Sequence, residues 1–172
     1  MKQVSLCLVG FGNVGQAFAR LITKKKETLE EQYGLRLIVT GIATGRHGMA
    51  IDPGGIRLSV ALRTMQRGAS LDLLSQRPAP RDMLEFIAAC PADVLLENSP
   101  VNHHTGEPAA AHIRAALRQG MHAITANKGP VAHHYKELTA LAASVGKRFL
   151  FESSVMDGAP IFSLFRGPLP AA

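Results

Sequence analysis

Residues 9–15 read VGFGNVG, and the fold turns on how they are read. Before them lies a short apolar run, Val4 to Val9; after the glycines the apolar residues Val14, Ala17, Phe18, Leu21 and Ile22 recur at helical spacing. The stretch is therefore a tight turn between a strand and a helix. Gly10, Gly12 and Gly15 stand as G-x-G-x-x-G, in which the glycines serve in turn for a sharp bend, for close approach of backbone to a diphosphate, and for close packing of helix on strand. The first turn of the helix adds free N–H groups and a partial positive charge.

Working outward, the chain alternates. A second strand is predicted over Leu35 to Ala43, followed by the glycine-rich loop TGRHGMAIDPGG. Met83 to Ala89 reads as a helix, Val94 to Leu96 as a third strand and Pro108 to Arg118 as a helix closed by Gly120. Ala123 to Thr125 is a fourth strand, Tyr135 to Val145 a helix closed by Gly146, and Phe149 to Phe151 a fifth strand. Short apolar strands alternating with helices imply right-handed crossovers and a parallel sheet covered on both faces, an α/β, Rossmann-type, doubly wound, three-layer fold. One domain is expected to span residues 1–172, with no internal repeat.

Composition narrows the classes. The chain is 47% apolar and 19% charged, the balance of a globular protein. Its net charge of +6 is spread thinly, and the single run, Lys24-Lys25-Lys26, falls where the first helix should end and cations are favoured. Aromatic residues make up 5% and Trp is absent, which leaves little for stacking on bases, so no nucleic-acid partner is expected. Past the first strand no segment approaches the roughly 20 apolar residues of a membrane span. Cys7 and Cys90 lack metal-ligand spacing and read as reduced thiols, and a cytoplasmic location is expected. Seven histidines, including His103-His104 and His133-His134, carry no H-E-x-x-H pattern and read as solvated loop or helix-end residues.

The dinucleotide fingerprint normally ends in an acid about 20 residues on, which binds the adenosine ribose of NAD. Here the second strand ends in Thr44-Gly45-Arg46. No carboxylate repels a 2′-phosphate and Arg46 can pair with one, which favours NADP over NAD; Arg57 is a weaker candidate for the same role. Ligands of open α/β sheets bind beyond the carboxyl ends of the strands. Three polar clusters fall there, LLENSPVNHH, TANKGP and FESSVMDGAP. Lys128, at the end of the fourth strand, is expected to aim its ammonium into the crevice beside the glycine turn, where it can hold a carbonyl or alkoxide oxygen.

At this point the sequence resembles a known family. GFGNVG, AHIRAALRQGMH, ITANKGPVA and FESSVMDGAPIFSLFRGPLPAA together look like the N-terminal, nucleotide-binding part of a homoserine dehydrogenase, TANKGP and MDGAPIFSLFR being the most discriminating. The resemblance implies reversible NAD(P)-dependent oxidation of L-homoserine to L-aspartate 4-semialdehyde, in threonine and methionine biosynthesis. It also implies that Lys128 is the active-site lysine, that Asn13 and Val14 lie at the diphosphate turn, and that Ser99 lies near the nicotinamide. It further implies a monovalent cation, commonly sodium, held largely through backbone carbonyls at Glu152, Val155, Asp157 and Ala159, although glycines often stand where this chain has Met156 and Asp157. Such enzymes continue past the equivalent of LPAA into a substrate and dimerisation domain. The polypeptide alone is therefore expected to bind cofactor weakly and turn over homoserine poorly, and apolar surface near Ile161 to Leu169 to favour a homo-oligomer. The rival readings are another amino-acid dehydrogenase of the aspartate type and a non-catalytic dinucleotide module.

Overall fold

The computed structural model describes residues 1–156 and 159–166. Six strands form one sheet in the order β3-β2-β1-β4-β5-β6. They are β1 (Lys2–Val9), β2 (Leu35–Ala43), β3 (Met49–Ile51), β4 (Val94–Glu97), β5 (His122–Thr125) and β6 (Phe149–Leu150). All neighbours pair in parallel except β3, which runs antiparallel along the outer edge of β2. The expected wholly parallel sheet thus carries one antiparallel edge strand. The Gly-rich loop after β2 turns straight back, leaving no room for the helical crossover that a parallel third strand requires.

Alternation along β1 sorts the core. Leu6 and Leu8 face the helices α1 (Asn13–Lys24) and α3 (Leu58–Gln66), packing with Ala19, Ile22 and Ala61. Cys7 and Val9 face the other side, where Phe86 and Ile87 of α4 (Met83–Ala89) and Ala116 of α5 (Ala109–Arg118) cover them. The helix α6 (Lys128–Ser144) lies beside α5, and Leu138 and Ala142 close a third cluster over Ala123 and Phe149. That is the three-layer, doubly wound arrangement. Both cysteines are buried free thiols.

The described residues also form the helices α2 (Lys26–Tyr33) and α7 (Ile161–Arg166). The Lys24-Lys25-Lys26 run marks the joint between α1 and α2, so Lys24 sits in the last turn of α1 as expected. Asp93 enters β4 as a strand-entry residue: its carboxylate accepts from Ser5 N (2.8 Å) and Ser5 Oγ (2.7 Å), tying β4 to β1.

Two expectations need correction. Lys128 is the first residue of α6 rather than the end of a strand, and α6 begins well before Tyr135. Pro130 does not stop this helix because it lies in the first turn, where the missing N–H would have had no partner. The histidines are not all solvated either. His112 lies inside α5, 6% exposed, because the helix packs that face against the sheet.

Candidate functional site

The glycine turn has the geometry that a diphosphate fingerprint requires. Gly10 takes φ +90, and a Cβ there would lie 2.3 Å from the Asn98 carbonyl oxygen, so the turn after β1 rests directly on the loop after β4. At Gly15 a Cβ would lie 2.5 Å from the Gly10 carbonyl oxygen, which is what lets α1 start so close to the strand. Gly12 has nothing within 4 Å of where a Cβ would sit. Its side of the turn faces open space. Gly12 is also the N-cap of α1 and supplies no side-chain cap, so the first N–H groups of the helix, at Asn13, Val14 and Gly15, have none. Asn13 and Val14 are exposed there.

The carboxyl ends of β4 and β5 lie across from this turn. Val14, Asn98, Ser99, Val101, Asn127 and Lys128 line one pocket of about 380 Å³. The structure therefore brings Val14, Ser99 and Lys128, far apart in the chain, to a single opening. Lys128 is exposed, and among the described residues no acid pairs with it. Its place is electrostatically awkward, because a cation at a helix N-terminus opposes the macrodipole by roughly 0.3–1 kcal/mol. Asn127 caps α6 by accepting from Gly129 N at 3.0 Å. Beside it, a Cβ at Gly129 would lie 2.8 Å from the Asn102 carbonyl oxygen and 2.9 Å from Gly106 Cα, so the loop before α5 packs against the start of α6.

Beneath the pocket lies a feature that the sequence pattern does not announce. Glu97 ends β4 with no exposed surface. Its Oε1 accepts from Ser99 N at 3.0 Å and from the Ser99 hydroxyl, and its Oε2 accepts from Thr125 Oγ1 at 3.1 Å. Thr125 Oγ1 accepts from Asn127 N at 3.0 Å, and Asn127 Nδ2 donates to the Ser99 carbonyl at 3.2 Å. The Ser99 hydroxyl is thus turned inward. The available sequence signal is a glutamate closing the apolar run VLLE.

Arg46 is exposed at the carboxyl end of β2, in a turn held by Thr44 N donating to the Gly48 carbonyl (3.1 Å) and His47 N donating to Thr44 Oγ1 (2.7 Å). Arg57 lies elsewhere. It precedes α3 and lines a separate pocket with Arg36 and Leu37, beside the amino-terminal half of β2. Of the suggested cation ligands, Asp157 lies outside the described residues. Glu152 lies in a 3-10 turn, Glu152–Ser154, where its carboxylate accepts from Ser163 N (3.0 Å) and Ser163 Oγ (2.9 Å). Val155 follows in extended backbone, and the Ala159 carbonyl accepts from Ile161 N at 2.8 Å. Met156 takes φ 53, the conformation that favours glycine. Among the described residues no three His, Cys, Asp or Glu side chains gather to hold a metal.

The family described as "Homoserine dehydrogenase, NAD binding domain" matches residues 10–152. The chain belongs to the homoserine dehydrogenase family. It is 33% identical over 177 residues to the NAD(+)-dependent homoserine dehydrogenase of Pseudomonas canavaninivorans, covering 98% of this chain and 48% of that protein. The homoserine dehydrogenase of Methanocaldococcus jannaschii is 32% identical, over 96% of this chain and 49% of its own length. A hyperthermophilic archaeal homoserine dehydrogenase solved in complex with NADPH superposes with a TM-score of 0.78 at 27% identity, covering 95% of this chain and 48% of that one. The chain spans about half the length of the relatives it matches. What the family match covers is its NAD-binding domain, from Gly10 to the turn after β6.

Proposed function

We propose that this chain holds the dinucleotide of a homoserine dehydrogenase across the carboxyl edge of its sheet and presents the nicotinamide to substrate beside Lys128. The observation that carries the reading is the shared opening: the uncapped α1 turn and Lys128 border one pocket through Val14, Ser99 and Asn127. The diphosphate would lie over this turn, where Gly12 presents no Cβ and the free N–H groups of Asn13 and Val14 offer donors. Gly10 and Gly15 keep that turn closed without touching the ligand. The 2′-phosphate of NADP meets Arg46, since the carboxylate that would select NAD is missing.

A bound nicotinamide would accept a hydride from the hydroxyl-bearing carbon of L-homoserine while the hydroxyl proton is released to solvent, giving L-aspartate 4-semialdehyde. The Lys128 ammonium donates a hydrogen bond to the substrate oxygen as its charge changes, a contact worth most in the transition state. Positioning of homoserine's amino and carboxylate groups falls to the half of the relatives' length that this chain does not span. A monovalent cation, where present, is held through backbone carbonyls at Glu152, Val155 and Ala159, the Glu152 carboxylate being engaged with Ser163. Leu164 and Phe165, 40% and 64% exposed, support contact with a second copy; Leu169 lies outside the described residues. No described helix is long and apolar enough to cross a membrane, and a cytoplasmic location is part of the reading.

Titration of the wild type and Arg46→Ala with NADPH and NADH tests the proposal. Measurable binding of either dinucleotide by the wild type is expected, with the variant losing affinity for NADPH alone. Binding of neither would overturn it.

A further inference from the structure

We propose that Glu97 is a positioning residue: buried beneath the pocket, it locks the loops after β4 and β5 in the arrangement that receives the nicotinamide ring. This rests on the cofactor-binding reading above and adds to it a residue that touches neither cofactor nor substrate. A wholly buried carboxylate is costly unless its oxygens are hydrogen-bonded. Those of Glu97 are, and every donor belongs to the two strand ends that carry Ser99 and Lys128.

The bonds form a closed ring. Glu97 fixes Ser99 and Thr125, Thr125 fixes the Asn127 N–H, and the Asn127 side chain returns to the Ser99 carbonyl while also capping the helix that opens with Lys128. Removing Glu97 leaves the Ser99 N–H and hydroxyl without their acceptor, and frees both walls of the pocket at once. A second observation points the same way. His112, 6% exposed, aims Nδ1 at Glu97 Oε1 across 3.6 Å, too long for a hydrogen bond, and among the described residues that nitrogen is the one buried side-chain polar atom without a partner. An apolar residue at position 112 would fill the space at less cost if burial alone mattered. An unpartnered imidazole facing a buried carboxylate fits a site whose loops tighten when the pocket is filled.

The test separates the two halves of the cofactor. Wild type, Glu97→Gln and Thr125→Val are titrated with NADPH or NADH, whichever the wild type holds more tightly, and with the matching ADP-ribose or 2′-phospho-ADP-ribose, which lacks nicotinamide. Thermal melts are recorded in parallel. Glu97→Gln, which turns a donor toward donors, is expected to weaken intact dinucleotide roughly ten-fold and leave the fragment within about two-fold of wild type. Thr125→Val shows the same selective loss and carries the test if Glu97→Gln does not fold. Equal loss of dinucleotide and fragment, or no loss of either, overturns the proposal. A wild type that holds the fragment as tightly as the dinucleotide also overturns it while the cofactor reading stands. A wild type that binds neither overturns the cofactor reading itself.

Discussion

Replacing Gly10 and Gly12 separately by alanine should split the stability of this domain from its ligand binding, because the two glycines face opposite surroundings. At position 10 the new methyl meets the Asn98 carbonyl oxygen at 2.3 Å and the Ser99 nitrogen at 2.8 Å, and the backbone sits at φ +90, where L side chains are strained. Taking about 2 kcal/mol for the backbone conformation and about 2 kcal/mol for overpacking against atoms that cannot rotate away, the variant loses about 4 kcal/mol. For a chain of 172 residues that lowers the melting temperature by roughly 8–16 °C. At position 12 the methyl meets no atom within 4 Å and the backbone, φ −79 and ψ −150, suits alanine. Stability falls by about 1 kcal/mol at most, the cost of a poorer N-cap. On the proposed placement that methyl would nevertheless stand in the way of the diphosphate, so the dissociation constant for NADPH or NADH should rise at least about ten-fold. Differential scanning calorimetry and dinucleotide titration on the same preparations read both effects. Wild-type affinity in Gly12→Ala would refute the phosphate placement, and a Gly10→Ala melting point within about 2 °C of wild type would refute the packing argument.

Three other outcomes are expected. Arg46→Ala should weaken NADPH roughly ten-fold and leave NADH unchanged, since a charge-assisted contact to one phosphate is lost; equal effects on both dinucleotides would remove Arg46 from the site. Lys128→Met should raise the urea midpoint of the chain, by roughly 0.3–1 kcal/mol in stability, because a cation leaves the positive end of α6. In any active polypeptide that contains this chain it should also slow homoserine oxidation by about 10²–10⁴, and unchanged turnover would remove the lysine from the reaction. Hydrogen bonds from Ser5 N, and then from Ser5 Oγ, hold the Asp93 carboxyl below its usual range. A depressed carboxyl stabilises the fold fully above the unfolded value of about 3.9; the contribution is lost as pH falls through the lower folded value. The stability gap between wild type and Asp93→Asn should therefore be open at pH 7 and close in acid, and a gap that widens below pH ~4 would contradict the assignment.

Where strands are buried on both faces, the sequence was plain to read: Leu35–Ala43 and the helix Met83–Ala89 carry their bounds openly because apolar runs end at polar or turn-forming residues. The helix α2 is not legible in the sequence because KETLEEQY buries no residue and has no apolar stripe to announce it. The start of α6 was hidden by Gly129-Pro130, which mean a stop inside a helix but not in its first turn. The glycine turn and Lys128 were legible since each is local, a motif or a misplaced charge. The ring around Glu97 was not. Its members, Glu97, Ser99, Thr125 and Asn127, come from two strand ends and the loops that follow them, which meet only once the sheet has formed, and His112 reaches it from a helix whose alanines suggest nothing polar beneath.

The contact of Gly10 with Asn98 has a consequence for how this domain can vary. Any bulkier residue at the first turn would have to arrive together with a shifted backbone after β4, so the two segments proposed to hold the phosphates and the nicotinamide are inherited as a pair. A designer seeking a different cofactor therefore has freedom at the rim of β2, around Arg46, and almost none at the hinge between these two loops.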